Sequence, residues 1–410
     1  MASKLQDLIN RLCPNGVEYR RLGEIATDVF RGGGILRNQV TETGVPCVRY
    51  GEIYTTYGIW FDECVSHTKL EYIQSPKYFE HGDILFAITG ESVEEIAKST
   101  AYTGHERCLA GGDIVVLKHK QNPKYLAYAL STSGAQEQKS KGKVKSKVVH
   151  SSVPAIKDIL IPVPPLEVQS EIVQILDNFA ELTAELTAEL EKRKKQYEHY
   201  RRALLCGVES SELRVESSAW PMVKLGDVCE MKAGKAIAAV KISAELDEQH
   251  PVACYGANGF RGYVAEPNQD GDHCIIGRQG ALCGNVCFAS GRFYATEHAV
   301  VVTQLGKYDD RYLYHMLTEM DLNQYKSQGA QPGLSVGKLE ELSIPLPPLA
   351  EQRRIVSILD RFDRLCNDLT SGLPAEIAAR KKQYAYYRDK LLAFPRGCNE
   401  LFMFHQYHAD

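Results

Sequence analysis

One stretch of this chain occurs twice. It reads IPVPPLEVQSEIVQILDNF at residues 161–179 and IPLPPLAEQRRIVSILDRF at residues 344–362, 183 positions later (344 − 161). That interval is far beyond the 20–50 residue period of a solenoid, so a whole domain-plus-helix unit is duplicated, and any fold must hold two equivalent frames. Each copy opens on an apolar run with prolines, Ile161-Pro162-Val163-Pro164-Pro165 and Ile344-Pro345-Leu346-Pro347-Pro348. Proline has no N–H to donate and disfavours helix in the residue before it. Each run therefore reads as an extended exit that leads into a helix, with the last proline near the helix start.

The helices that follow carry an apolar seam in steps of three and four. In the first copy the seam includes Ile172, Leu176, Phe179, Leu186, Leu190 and Tyr197; in the second, Ile355, Leu359, Phe362, Leu369 and Tyr384. The ends also repeat, as RKKQY at 193–197 and 380–384, but now 187 positions apart (380 − 193). The second helix thus holds four extra residues, about one turn, around Ser371-Gly372-Leu373-Pro374, where Gly and Pro predict a break or kink. The matching part of the first helix is TAELTAEL, residues 183–190, made of good helix formers. A 40-residue helix would span ~60 Å, and its seam requires a partner. The other copy is the expected one, which predicts a two-helix coiled coil.

A segment of similar type precedes each helix, opening RRLGEI at 20–25 and VKLGDV at 223–228. Both interiors hold short β-type runs punctuated by glycine, such as GDILFAI and HCIIGRQG, and then a helical stretch. The frames repeat while the interiors differ. The fold class is α+β: two β-rich domains in pseudo-symmetric tandem, each followed by a long helix. With 410 residues there is room for two or three domains with their own cores. A content of 44% hydrophobic and 24% charged residues is that of a soluble globular chain. The N-terminus lacks the apolar run of a secretory signal, and no stretch is long and apolar enough to span a membrane. The 12 cysteines are scattered, as expected of reduced thiols. A net charge of −4 means that any nucleic-acid site must be a local concentration of positive charge.

The doubled PPL-x-x-Q helix, the two RKKQY ends and the RRLGEI/VKLGDV openings resemble the specificity subunit of Type I restriction-modification systems, over roughly residues 17–394. The resemblance implies two target-recognition domains, each reading one half of a split double-stranded DNA site, held by an antiparallel helix pair. It also implies two methyltransferase subunits and two motor-nuclease subunits as partners, with S-adenosylmethionine, ATP and magnesium bound by those partners and no cofactor here. On this basis the expected organisation is a helical segment (1–19), target-recognition domain 1 (20–160), a central spacer helix (161–206), a linker (207–219), target-recognition domain 2 (220–343), a distal spacer helix (344–394) and a tail (395–410). TAELTAEL looks like the family's spacer segment, and one further TAEL would add ~6 Å of helix.

Base edges are read by paired donors and acceptors, Arg on guanine and Asn or Gln on adenine. In domain 1 the candidates are Arg31, Arg37 and Asn38 in a glycine-rich loop, and Arg49 with Tyr50. In domain 2 they are Tyr255, Asn258 and Arg261, Arg278 and Gln279 between two glycines, and Gln328, Gln331 and Ser335 before the second proline run. Lys139, Lys141, Lys143, Lys145 and Lys147 alternate along KSKGKVKSK. On an extended segment they would form one stripe for phosphates.

No phosphate-loop, adenine-methyltransferase, nucleophile-elbow or HExxH motif occurs, so catalysis is expected of partners. His273, Cys274, Cys283, Cys287 and His298 lack the paired spacing of a zinc site. The cysteines read better as small buried hydrophobes. Glu91, Glu94 and Glu95, with Asp83 and Lys98, loosely suggest a nuclease set but read better as acids in the first turns of a helix over 89–98. Two other readings stand beside the resemblance: a coiled-coil protein-interaction adaptor without DNA sequence specificity, and a self-contained metal-dependent nuclease.

Overall fold

The computed structural model describes residues 2–140, 143–145, 148–206, 220–280, 282–327 and 332–394. The chain forms two compact units, Met1–Glu185 with Ile377–Asp410, and Leu186–Glu376.

The first unit carries two five-stranded sheets. One has the order 26–31, 114–119, 84–87, 99–102, 60–61; the other 40–41, 66–68, 45–48, 108–110, 78–79. The strand Ile114–His119 is second in the first sheet, between 26–31 and 84–87. Its residues Ile114, Val115, Val116 and Leu117 are wholly buried, as expected of a β-branched run covered on both faces. The second unit has two four-stranded sheets, and there the strand Ala299–Gln304 occupies the matching place, between Cys229–Ala233 and His273–Gly277.

The opening of each domain pairs antiparallel with the proline run that closes it. Tyr19 lies opposite Pro162, and Met222 opposite Pro345. Proline is tolerated because these are two-stranded edges. The glutamine of PPL-x-x-Q explains why the motif is repeated. Gln169 and Gln352 are fully buried. Gln169 Oε1 accepts from Asn122 N–H at 3.0 Å, and its amide donates to Pro164 O at 2.8 Å. Gln352 accepts from Asp309 N–H at 2.7 Å and donates to Pro347 O at 2.8 Å. Asn122 and Asp309 in turn cap the helices Pro123–Leu130 and Asp310–Glu319. Each buried amide therefore joins the start of one domain helix, Pro123–Leu130 or Asp310–Glu319, to the helix that follows the proline run.

The central helix, Leu166–Cys206, is continuous through TAELTAEL. The distal element is two helices, Leu349–Asn367 and Leu373–Leu391. The predicted break falls where Gly and Pro place it. The Asp368 carboxylate accepts from the N–H groups of Thr370 and Ser371, and a Cβ on Gly372 would lie 2.5 Å from Arg364 O. In the first unit Phe179 stacks on Tyr387 at 5.5 Å; in the second Tyr197 stacks on Phe362 at 6.1 Å. The central helix passes from the first unit into the second while the distal pair passes back, so the pairing is antiparallel. Ile172, Leu176, Leu190, Ile355 and Leu359 are buried, Leu186 is half-buried and Tyr384 packs against the first core. Leu369 is a correction. It lies in the turn between the distal helices and is 79% exposed, because the seam cannot continue through a break.

Candidate nucleic-acid interface

Each domain is gripped at one end and open at the other. At the gripped end the aspartate of the repeated ILD faces the helix Pro123–Leu130 or Asp310–Glu319. Asp177 accepts from Lys124 Nζ at 2.8 Å and Tyr128 Oη at 2.6 Å. Asp360 accepts from Arg311 Nη2 at 2.7 Å and His315 Nε2 at 2.8 Å. Lys124 also lies 3.9 Å over the Trp60 ring, and Arg311 lies 4.8 Å from both the Phe288 and Tyr314 rings. Burial alone would raise the Asp360 carboxyl, but the hydrogen bonds from His315 and Arg311 prevail and hold it at about 2. None of these residues was singled out in the sequence as functional. The signal lay in the repeat, where Gln and Asp recur at fixed places.

At the open end two loops meet in the same way in both domains. Gly33 bridges Gly111, and Lys235 bridges Thr296. A Cβ on Gly32 would sit 2.1 Å from Gly111 O, and one on Gly234 would sit 2.2 Å from Ala295 O, so the approach requires glycine. In domain 1 this turn collects Arg31 and Arg49. The Arg31 guanidinium donates to Gly112 O and pairs with Asp113. Arg49 caps the helix Tyr50–Thr55, and its neighbour Val48 accepts from Gly111 N–H at 2.9 Å. Tyr50 is exposed beside it, and Arg37 and Asn38 are exposed on the short turn Arg37–Gln39.

In domain 2, Asn258 and Arg261 are exposed on the hairpin joining Val252–Gly256 to Gly259–Val264. Arg278 N–H donates to His298 O at 2.9 Å, and Gln279 is exposed next to it. Tyr255 is mainly a packing residue, with Phe293 and Phe260 rings at 5.8 and 6.1 Å. Burial raises its phenol. Ser335 is an N-cap whose side chain accepts from Lys338 N–H, and so has a structural task. Gln328 and Gln331 lie outside the described residues.

The lysine stripe is corrected at its first member. Lys139 ends the helix Ser133–Lys139 and is buried, its Nζ donating to Leu130 O at 2.7 Å and Ser99 Oγ at 3.0 Å. Lys143 and Lys145 belong to the strand Lys143–Lys145, paired with Val148–His150. Lys141 and Lys147 lie outside the described residues. The expected helix over 89–98 is also corrected: after the strand Thr89–Gly90 the chain turns without a helix, with Ala97 at φ 57. Asp83 is tied to Lys118 at 3.1 Å. Cys274 and Cys283 are buried and Cys287 half-buried. Among the described residues no three His, Cys, Asp or Glu side chains are placed to hold a metal, and no helix is long and apolar enough to cross a membrane.

The comparisons with known proteins agree with this arrangement. The family described as Type I restriction modification DNA specificity domain matches residues 14–193 and 217–379. The specificity subunit of the Escherichia coli Type I restriction enzyme EcoprrI is 47% identical over 225 residues, covering 52% of this chain and 55% of that one. The match therefore spans about half the length of that relative. A putative type I specificity subunit of Mycoplasma pneumoniae is 32% identical over 236 residues, covering 57% of this chain and 95% of the relative. Among solved structures, the Type I S subunit from M. genitalium superposes with a TM-score of 0.57 at 17% identity over 92% of this chain and 96% of that one. A chain from a study of assembly and conformational transition of the type I R-M system gives 0.59 at 19% identity, over 92% and 97%. These likenesses carry the fold. With the family matching each of the two repeated frames in turn, the chain belongs to the Type I restriction-modification DNA specificity family.

Proposed function

We propose that this chain is the DNA-reading and scaffolding subunit of a Type I restriction-modification complex. Its two target-recognition domains read a bipartite, asymmetric site in double-stranded DNA. The observation that carries this is one clamp built twice beneath two different open ends: identical roles for Gln169 and Gln352 and for Asp177 and Asp360, with Gly111-Gly112 at one end and Thr296-Glu297-His298 at the other. A site read by unlike halves requires such unlike surfaces on like mounts. The helix pair sets the spacing between the half-sites. Two methyltransferase subunits and two motor-nuclease subunits dock on the scaffold in the cytoplasm. The chain itself is non-catalytic, and S-adenosylmethionine, ATP and magnesium are bound by those partners.

The test is a methylome. The chain is co-expressed with its methyltransferase subunit in a host free of adenine methylation, and methylated adenines are read by single-molecule sequencing. One split motif with unequal halves is the expected result. A soluble complex that methylates nothing, or an unsplit motif, would overturn the proposal.

A further inference from the structure

Each domain has two polar ties to the helix that follows its proline run, and the second is made of unlike side chains at like positions. The first tie is the buried glutamine, Gln169 or Gln352. The second lies eight positions on (177 − 169; 360 − 352), ~12 Å along the helix. Counted from the caps Asn122 and Asp309, a cation stands at the second position, Lys124 or Arg311, and a hydrogen-bonding group at the sixth, Tyr128 or His315. Both reach the ILD aspartate, at 2.8 and 2.6 Å for Asp177 and at 2.7 and 2.8 Å for Asp360. A ring from the sheet closes the other side of each cation. Lys124 Nζ lies 3.9 Å over Trp60, and the Arg311 guanidinium lies 4.8 Å from Phe288. Their strands, Trp60–Phe61 and Val286–Ala289, are the outermost of their sheets. The ring thus braces the sheet against the helix at a point three strands from Ile114–His119 in one domain and two strands from Ala299–Gln304 in the other, roughly 10–15 Å to one side.

We infer that Lys124 with Trp60, and Arg311 with Phe288, are positioning residues that set how strictly the complex measures the spacer between half-sites. The inference rests on the split-site reading proposed above and deepens it: helix length sets the mean spacing, and the two braces set its spread. Ile172, Leu176, Ile355 and Leu359 are buried along the same helices, but apolar contact is non-directional, and packed elements shift past one another by ~1–2 Å. A shift of ~2 Å at the aspartate, about a pivot at the glutamine ~12 Å away, is a swing of ~10°. Over the ~20 Å of a six-residue strand this moves the far end by ~3.5 Å, about one base-pair step of ~3.4 Å. The glutamine alone therefore admits a spacer wrong by one base pair, and a second tie with an off-axis ring removes that freedom. Both pairs are only part-buried, so they add little stability; a fixed angle is what they supply.

The experiment is the same methylome, run with the full chain and scored at sites whose spacer is one base pair longer or shorter than in the wild-type motif. Lys124→Met and Arg311→Met each keep a long side chain against the ring and release the aspartate; Lys124→Arg and Arg311→Lys keep the cation. In each methionine variant, methylation at wrong-length sites relative to right-length sites is expected to rise at least ~10-fold, the equivalent of about 1.4 kcal/mol of lost discrimination. Both half-site sequences stay as strict as before, and the variants that keep the cation stay strict in spacer too. A split wild-type motif whose spacer neither methionine variant relaxes would overturn this assignment alone. So would relaxation of bases within a half-site while the spacer stays strict. If a methionine variant methylates nothing, binding of its purified complex to duplexes of the three spacer lengths decides. A narrowed preference among them supports the assignment, whereas equal loss on all three, or no soluble complex, assigns the brace to folding and overturns it. An absent or unsplit wild-type motif overturns the proposed function itself, and this assignment with it.

Discussion

Replacing Lys139 by Met tests the most unusual side chain in the first domain. Lys139 is buried, and among the described residues its Nζ has no carboxylate beside it, only Leu130 O, Ser99 Oγ and the Phe86 ring at 6.0 Å. Burial lowers the ammonium from 10.5 to about 7. Between those values the unfolded chain binds a proton that the folded chain does not, so stability rises with pH. At about 1.4 kcal/mol per pH unit, the amine costs the fold about 5 kcal/mol at or below pH 7 and nothing above 10.5. Methionine keeps the length and removes the titration. It also leaves the Leu130 carbonyl without its donor, a loss of about 2 kcal/mol. Lys139→Met is therefore expected to be more stable by about 3 kcal/mol at pH 7, equal near pH ~9 and less stable above it. Urea unfolding from pH 7 to 10, followed by Trp60 fluorescence in a Trp220→Phe background, confines the readout to the first unit. Wild-type and variant stabilities that run parallel across this range would refute the reasoning.

Three further outcomes follow from the same geometry. Inserting a third TAEL after Leu190 adds ~6 Å of helix and is expected to lengthen the methylated motif's spacer by about one base pair with both half-sites unchanged; an unaltered spacer would sink the ruler role. Asp360→Asn is expected to destabilise the second unit by about 2 kcal/mol at neutral pH. The carboxyl's stabilisation is complete above 3.8 and lost as pH falls through about 2, so Trp220-monitored unfolding that shows equal stabilities at pH 7 contradicts the clamp. Gly277→Ala forces a Cβ to 1.8 Å from Ala257 O, whereas nothing stands within 4 Å of a Cβ on Gly337, in the short helix Val336–Glu340. The first is expected to cost about 1–3 kcal/mol or more and the second to be neutral or stabilising by up to ~1 kcal/mol, measured by thermal unfolding.

What the sequence disclosed was what repetition or local chemistry can disclose. The proline runs, the long helix and the break near Gly372 all follow from backbone rules that need no tertiary contact. Leu369 was misplaced because three-four spacing can be continued on paper through a segment where Asp368 has already captured the next two N–H groups. Lys139 was grouped with its alternating neighbours because spacing does not register that a helix carries it inward to Leu130. The acids near residue 94 suggested a helix start, yet Ala97 adopts a left-handed conformation that ends any such turn. One backbone hydrogen bond joins Arg278 to His298, about twenty positions away. No periodicity marks such a meeting, and the histidine instead suggested a metal ligand.

The strands Ile114–His119 and Ala299–Gln304 explain how one repeated mount can carry two different turns. Ile114–His119 starts beside the Gly111-Gly112 turn and ends near Asn122, whose N–H is held by Gln169. Ala299–Gln304 starts at Thr296-Glu297-His298 and ends near Asp309, whose N–H is held by Gln352. Six extended residues span ~20 Å, and four of them in each strand are almost wholly buried, so each strand is a stiff rod between clamp and open turn. Changes at the open turn then leave the clamp undisturbed, while the clamp fixes where the turn stands relative to the long helix. The repeat keeps the residues at one end of the rod, and the two domains are free to differ at the other. A turn that can change without loss of its mounting is thus a consequence of where the buried glutamine and aspartate sit.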